Sequence, residues 1–532
     1  MNHSFLICIL LLSVPSRLVA SKDITVDADL TEKIGNSYPS LDQAISAILS
    51  DSTLIDDENI ITLQANCIGK NQYFPLLSQN INGKNSASGR LTIKFENIPS
   101  SINNADQCRL LPILELGNGA CMAIDNLSSL TISGLNIKYS GDKCKNTVTN
   151  IETVTFTNFC LNNSEPSRLM ANGELSSFEL NSIASLSMKS GIYFSDSIKQ
   201  IMITQTREAA LENITLVAME KAIDSDKSAF AFSTDESIQA NLSVNNFRVV
   251  CEPATLVMPN VVSTSNVDHI SISNLNISNC DFNSVATKNP AIISVGRAST
   301  LTIQKVIIDN LKFGAYQQSI FVVSSVINAT LRDFQISNLH TDFGGQSYSQ
   351  IVDLNDKTST NDSLHKNSII FSQWNLTNCT LNQDKTFIKG SFKEISNLGA
   401  VAIQNIHLAD SSLNRSSYFF SLQTQDTRGW TTSYDMTTIS MKNIRVTNTQ
   451  FRYSEMIRVS ILDPKFIAAI EIAKLEVTNF SLSSNSSLRH SSIIHAEGFS
   501  TCISNATIVN TTFQKKFEFL LERHDHEYSA NQ

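Results

Sequence analysis

The chain has 532 residues, of which 17% are charged and 42% hydrophobic, with a formal net charge of −9. Charged residues fall short of the ~25% of an ordinary soluble protein, and Ser, Asn and Thr take their place. An acidic pI near 5.5 excludes the basic surface on which nucleic-acid recognition starts, and eighteen Gly and ten Pro are too few for collagen-like or linker sequence.

Residues 1–21 read as a secretory signal. An apolar run from Phe5 to Val14 leads to Pro15 and a small-residue site at Val19-Ala20-Ser21. The run is too short to span a membrane, and no later segment reaches ~18 apolar residues, so no transmembrane anchor is expected. The terminal "LERHDHEYSANQ" is neither a retention signal nor a lipid-anchor tail. The expected location is outside the cell or in the lumen of a secretory compartment.

Next comes "YPSLDQAISAIL" (38–49), which sets Leu41, Ala44, Ile45, Ile48 and Leu49 on one helical face behind a Ser40/Gln43 capping box. "IITLQ" and "RLTIKFENI" then supply strands.

From Leu130 a ten-residue pattern recurs. Its copies are "LTISGLNIKY" (130–139), "VTFTNFCLNN" (154–163), "AALENITLVA" (209–218), "LSVNNFRVVC" (242–251), "ISISNLNISN" (270–279) and "LTIQKVIIDN" (301–310). They continue with "ATLRDFQISN" (329–338), "IIFSQWNLTN" (369–378), "VAIQNIHLAD" (401–410), "TISMKNIRVT" (438–447), "IEIAKLEVTN" (470–479) and "TCISNATIVN" (501–510). Each alternates apolar and polar residues, slips phase by one at its fifth residue (the sixth, Asn443, in the copy at 438–447), and alternates again. The hinge is Asn in seven copies, and Gly134, Lys305, Asp333, Gln373 and Lys474 hold the other five. From Asn213 onward hinges follow one another at 28 to 40 residues. A period of this size belongs to a solenoid.

The physical reading is strand, sharp bend, strand. Asn and Gly tolerate the left-handed backbone that such a bend requires, and the slip lets both strands turn their apolar side to one interior. A second Asn five residues past the hinge, at Asn163, Asn279, Asn310, Asn338, Asn378, Asn448, Asn479 and Asn510, would open the next turn. Stacked coils then align Ile, Val, Leu and Phe into internal ladders. A leucine-rich solenoid would need helical or asparagine-consensus convex segments, and a propeller four strands per blade.

The pattern resembles the right-handed parallel β-helix of the pectin-lyase-like superfamily, whose tight turn between two strands often holds an asparagine ladder; the amino-terminal helix is similar to the cap of pectin esterases. The resemblance covers roughly residues 37–510. The expected fold is all-β: a single-stranded right-handed parallel β-helix of roughly 12–14 coils with an N-terminal capping helix. Its divisions are a signal (1–21), cap and first coils (22–120), β-helix repeats (121–512), and a C-terminal cap and polar tail (513–532). Segments 344–367 and 410–435 are the widest excursions, and function on a solenoid concentrates on such loops.

The catalytic motifs of the family's enzymes are absent. The one paired acid is Asp56-Asp57, and Asp268-His269 in "NVDHIS" faintly resembles a pectate-lyase motif with no second motif beside it. His524-Asp525-His526-Glu527 sits in a polar tail, and no Cys spacing fits zinc. No catalytic, cofactor or metal site is assigned. Sequons lie beyond the signal at fourteen asparagines. Asn213 and Asn505 coincide with hinges, which leaves Asn126, Asn162, Asn241, Asn276, Asn328, Asn361, Asn375, Asn378, Asn414, Asn479, Asn485 and Asn510 as expected glycan sites.

Nine cysteines follow the signal. Cys251 and Cys280 hold nearly equivalent positions one coil apart, and strands ~4.8 Å apart suit a disulfide, so these two are expected to pair. Cys379 and Cys502 stand four repeats apart, roughly 19 Å along the axis, and cannot pair within the chain. The expected function is a secreted, non-catalytic surface or matrix glycoprotein; the alternative is a polysaccharide lyase or glycoside hydrolase with an unfamiliar site. Expected partners are secreted or surface proteins or carbohydrate, with self-association or disulfide-linked assembly through the odd thiol.

Overall fold

The computed structural model describes residues 21–514, except 51–57, 76–80, 83–88, 100–101, 103, 118–120, 141–145, 164–177, 195–200, 219–227, 252–260, 283–290, 314–318, 342–349, 357–366, 383–384, 393–397, 416, 425–437, 461–467, 473–474, 479–480, 484–491, 498, 504–505 and 510–511. The chain is a parallel β-helix. Every strand pairing is parallel, and each coil lies on the one before it in four stacks, called A to D here in the order a coil visits them.

Stack B is the longest. It runs through sixteen rungs, at 21–26, 58–63, 90–95, 129–133, 153–157, 185–189, 208–212, 241–245, 269–273, 300–304, 328–332, 368–372, 400–404, 438–442, 469–472 and 500–503. That exceeds the 12–14 coils expected, because the first rungs and the one at 185–189 lack the asparagine signature. The stack starts at Ser21, paired with Glu58, and the last strand, Thr512–Gln514, pairs across the boundary drawn at 512/513.

The corners explain the phase slip. Ten of the twelve hinges lie among the described residues, and all ten are left-handed, with φ from 51° at Asn158 to 70° at Gly134. Lys474 and Asn505 lie outside the described residues. Ser190 (φ 55°) is an eleventh hinge of the same stack, hidden because serine replaces asparagine and Gly191 follows. Gly191 is required by packing: a Cβ there would sit 2.4 Å from the Phe159 ring.

The second asparagine of the repeat marks a further corner. Asn279, Asn310, Asn338, Asn378 and Asn448, with Asp410, are left-handed and lead from stack C to a short stack D (280–282, 311–313, 339–341, 380–382, 412–414, 450–452, 481–483 and 512–514). Asn163 instead remains within the strand Asn146–Asn163. Coils before Asn279 therefore have three strands, and later ones four.

Corner side chains pair from rung to rung. Asn246 donates to Asn213 Oδ1 (2.5 Å) and Asn443 to Asn405 Oδ1 (2.8 Å) at the first corner. Asn310 donates to Asn279 Oδ1 (2.8 Å) and Asn378 to Asn338 Oδ1 (2.6 Å) at the second. Asp309 joins this second file: it accepts from Ser337 Oγ (2.6 Å) and Asn338 Nδ2 (2.9 Å), and these bonds hold its carboxyl below the ordinary value of 3.8.

Inside, like side chains stack. Phe334 and Trp374 lie parallel, centroids 4.2 Å apart, and the indole N–H donates to the Leu331 carbonyl (3.1 Å). At the amino-terminal end α1 (Leu41–Ser50) buries Leu41, Ala44, Ile45 and Ile48, and its Leu41 N–H is taken by the buried Gln72 side chain of the first C strand (3.1 Å).

The register generates two predictions. Ile277 and Ile308 are fully buried, whereas Ile307 is 43% exposed. Ile277→Asp or Ile308→Asp should cost several kcal/mol and abolish recovery of folded protein, while Ile307→Asp should change the urea unfolding free energy by less than about 0.5 kcal/mol. Equal tolerance of both classes would contradict the register. For Asp309 the folded carboxyl titrates below the unfolded one, so its stabilisation is complete above pH 3.8 and is lost as the pH falls through the folded value. Urea unfolding at pH 6 and pH 3 should show a smaller drop for Asp309→Asn than for the parent chain; equal drops would remove Asp309 from the acid response.

Candidate functional site

Stack A departs from simple alternation. From Ala291 onward two neighbouring side chains turn inward together: Ile292 and Ile293, Ile320 and Phe321, Ile351 and Val352, Phe387 and Ile388, Phe419 and Phe420, Met456 and Ile457, each at most 2% exposed. The ladder skips the first of each pair, the local break that a β-bulge makes. Residues on either side are thereby aimed at the outer face. The sequence carries this as a four-residue polar–apolar–apolar–polar motif: "QIVD" from Gln350, "TFIK" from Thr386, "YFFS" from Tyr418 and "EMIR" from Glu455.

The rungs bring these motifs into register. Gln350 pairs with Thr386 and Thr386 with Tyr418; Asp353 pairs with Lys389, Lys389 with Ser421 and Ser421 with Arg458. Arg458 reaches back one rung to donate to the Tyr418 hydroxyl (2.6 Å), its guanidinium 5.4 Å from that ring's centre. Although they belong to the outer face, several of these polar groups are nearly covered: Gln350 is 1% exposed, Ser421 3%, Thr386 5% and Asp353 8%. Neither amide atom of Gln350 has a hydrogen-bond partner. Buried polar groups are normally satisfied, and Gln350 is an exception on this strand.

Chain connectivity singles out the same strand. Up to Ser325 the A-to-B corner is tight in most coils, with left-handed Asn126, Asn150, Ser182, Gln205, Asn266 and Ser325, and longer connections enter stack A from the other side. From Asp356 the longer connections (357–366, 393–397, 425–437 and 461–467) leave stack A toward B, while Arg415 and Tyr453 make tight corners into it. The strand Gln350–Asp356 has longer connections at both ends, where the excursions change sides.

Sequence reasoning missed this cluster because its members are 32 to 37 residues apart and no pair forms a local motif. Of the residues it did weigh, Asp268 is a corner support. Its Oδ2 accepts from Ala240 N (3.0 Å) and its carbonyl accepts from Ser299 N and Thr300 N. His269 starts a B strand, exposed, with Nδ1 2.7 Å from Thr300 Oγ1. Asp56-Asp57 and residues 524–527 lie outside the described residues. No group of three or more His, Cys, Asp or Glu able to hold a metal ion occurs among the described residues.

The sequons spread over every stack but one. Asn241 and Asn328 stand in B, Asn162, Asn276 and Asn375 in C, Asn414 in D, and Asn126, Asn213 and Asn378 at corners. Asn361, Asn479, Asn485, Asn505 and Asn510 lie outside the described residues. No described sequon asparagine lies on an A strand.

Disulfides join Cys108 to Cys160 and Cys251 to Cys280. Cys121 is also disulfide-bonded. Cys67 and Cys379 are free and buried. Burial pushes the Cys379 thiol up to about 12, which disfavours the thiolate form that reacts. Comparisons with protein-family models, curated proteins and solved structures return no match for this chain.

The ladder bears on one glycan expectation. Asn378 was expected to carry sugar, but its Nδ2, the atom a glycan would occupy, is committed to Asn338. Asn241, Asn328 and Asn375 are exposed strand positions. Glycopeptide mass spectrometry of secreted protein should find these three occupied and Asn378 and Asn213 mostly bare; full occupancy at both corner residues would show that the ladder tolerates a glycan.

Proposed function

We propose that this chain is a secreted glycoprotein of the pectin-lyase-like superfamily that serves as a non-catalytic extracellular binding scaffold, with stack A as its contact face. One observation carries the reading: among the described residues, the face without glycan acceptors is the face that gathers covered polar side chains. Glycans on B, C and D would keep those faces solvated and leave A free for a partner. Three further features support secretion. Residues 1–21 read as a secretory signal, disulfides belong to oxidising compartments, and no described helix is long and apolar enough to cross a membrane.

Arrangement along the rod favours an extended partner, such as a polysaccharide or a surface protein. The polar residues from Gln350 to Arg458 repeat at the rung spacing of about 4.8 Å, so a ligand lying along the axis meets equivalent groups at regular steps. A second reading, a polysaccharide lyase or glycoside hydrolase, is favoured by Asp353, Lys389, Tyr418 and Arg458 standing on neighbouring rungs. A carboxylate, two cations and a phenol are groups that acid–base chemistry on a sugar uses.

The test is binding and turnover with polygalacturonate and a neutral glucan as probes. The scaffold reading expects retention of at least one polymer without product, weakened about tenfold or more by Lys389→Ala or Arg458→Ala. Product formation abolished by Asp353→Asn would replace the scaffold with the enzyme. Binding that ignores both cation substitutions would move the contact off stack A.

A further inference from the structure

Where stack D turns into stack A the chain gathers arginine against its overall balance. Over the whole sequence acids outnumber bases, 49 to 40. Residues 412–424 and 450–460, which run round this corner in two successive coils, carry three arginines, Arg415, Arg452 and Arg458, and a single acid, Glu455.

Backbone pairing fixes how they stand. Asn414 pairs with Arg452, and Arg415 N donates to Arg452 O (2.8 Å). Arg415 and Tyr453 therefore hold the same left-handed corner on neighbouring rungs, at φ 52° and 53°. Arg415 and Arg452 are exposed, and Tyr453 is half-buried. The Arg452 guanidinium lies 5.9 Å from the centre of the Tyr453 ring, as that of Arg458 lies over Tyr418. The corner thus presents two rings, each with an arginine beside it, and a third arginine one rung down.

We propose that this corner binds an oligosaccharide carrying sulfate esters. The inference rests on the reading of stack A as the contact face, which the corner continues from Lys389, two rungs below Arg458. Aromatic faces are negative and meet the polarised C–H groups of a sugar ring. Guanidinium forks meet anionic oxygens. One fork fills the two oxygens of a carboxylate, whereas a sulfate ester has three free oxygens and accepts from two arginines at once. Polyphosphate has such oxygens but no C–H face for the rings. Asn414 is a sequon asparagine beside Arg415 and opposite Arg452, so a glycan there covers the cluster and switches the site off.

Retention on immobilised heparin tests this at about 0.15 M salt, where long-range attraction is screened. The secreted chain is compared with its Ser416→Ala variant, which lacks the Asn414 acceptor. The expected result is retention of the Ser416→Ala chain, competed by heparin at a concentration about tenfold or more below that needed with polygalacturonate or inorganic polyphosphate. In that background Arg415→Gln/Arg452→Gln should weaken binding about tenfold or more; glutamine suits the corner, since Gln373 holds one at φ 59°. Lys442→Gln/Arg445→Gln removes the same charge from exposed positions earlier in that coil and should change binding less than about twofold. If the arginine pair variant is not secreted, Arg452→Gln alone decides, with a loss of about threefold or more expected. Equal losses from the two pairs, or no retention of the Ser416→Ala chain, would overturn the site. Competition by polygalacturonate or polyphosphate as strong as by heparin would overturn its ligand class. Lys389→Ala separates the corner from the stack A reading. Retention that needs Lys389 but not the arginines overturns the corner alone; retention that needs the arginines but not Lys389 keeps the corner and takes the contact off stack A.

Discussion

Everything in this fold hangs on backbone hydrogen bonds that continue through the corners. At a left-handed corner the N–H still points along the rod and meets a carbonyl of the next coil: Gly134 to Thr157 (3.0 Å), Asn126 to Thr149 (3.1 Å), Asp410 to Thr447 (3.1 Å), Asn448 to Thr478 (3.1 Å). Without that geometry each turn would leave buried donors unsatisfied, and the strands on either side would lose register. With it, a bend costs little more than the strain of one residue, and the inward face is kept across the bend.

The strain is visible in which residues take the corners. Asparagine and glycine hold most of them, as expected from their tolerance of positive φ. Yet Lys305, Gln373, Arg415 and Tyr453 adopt φ between 52° and 59°, a conformation that costs such residues of order 1 kcal/mol or more. They are held there by pairing on both flanks: Gln373, for example, lies between Ser372 and Trp374, both in register with the coil below at Arg332 and Phe334. Corner chemistry is therefore a preference, and the ladder overrides it.

This decides what a reader of the sequence can see. Where asparagine marks the corner, as at Asn274, the phase slip is plain and the core residues Ile272, Leu275 and Ile277 follow from it. Where serine takes the corner at Ser190, the rung vanishes from the pattern although it is fully formed. Stack D was half-legible: its opening asparagines stood out, but three-residue strands carry too little alternation to be recognised. The polar face of stack A was invisible for a different reason. Gln350, Lys389 and Arg458 are joined only by coil stacking, and the paired apolar residues of the bulge erase the alternation that would have marked which side each faces.

Hydrogen bonds between coils run parallel to the long axis, and that has a mechanical consequence. A pull on the two ends is borne by one coil-to-coil interface after another, in series, so every interface carries the whole load. Adding coils extends reach but leaves breaking force unchanged, since that is set by the weakest interface.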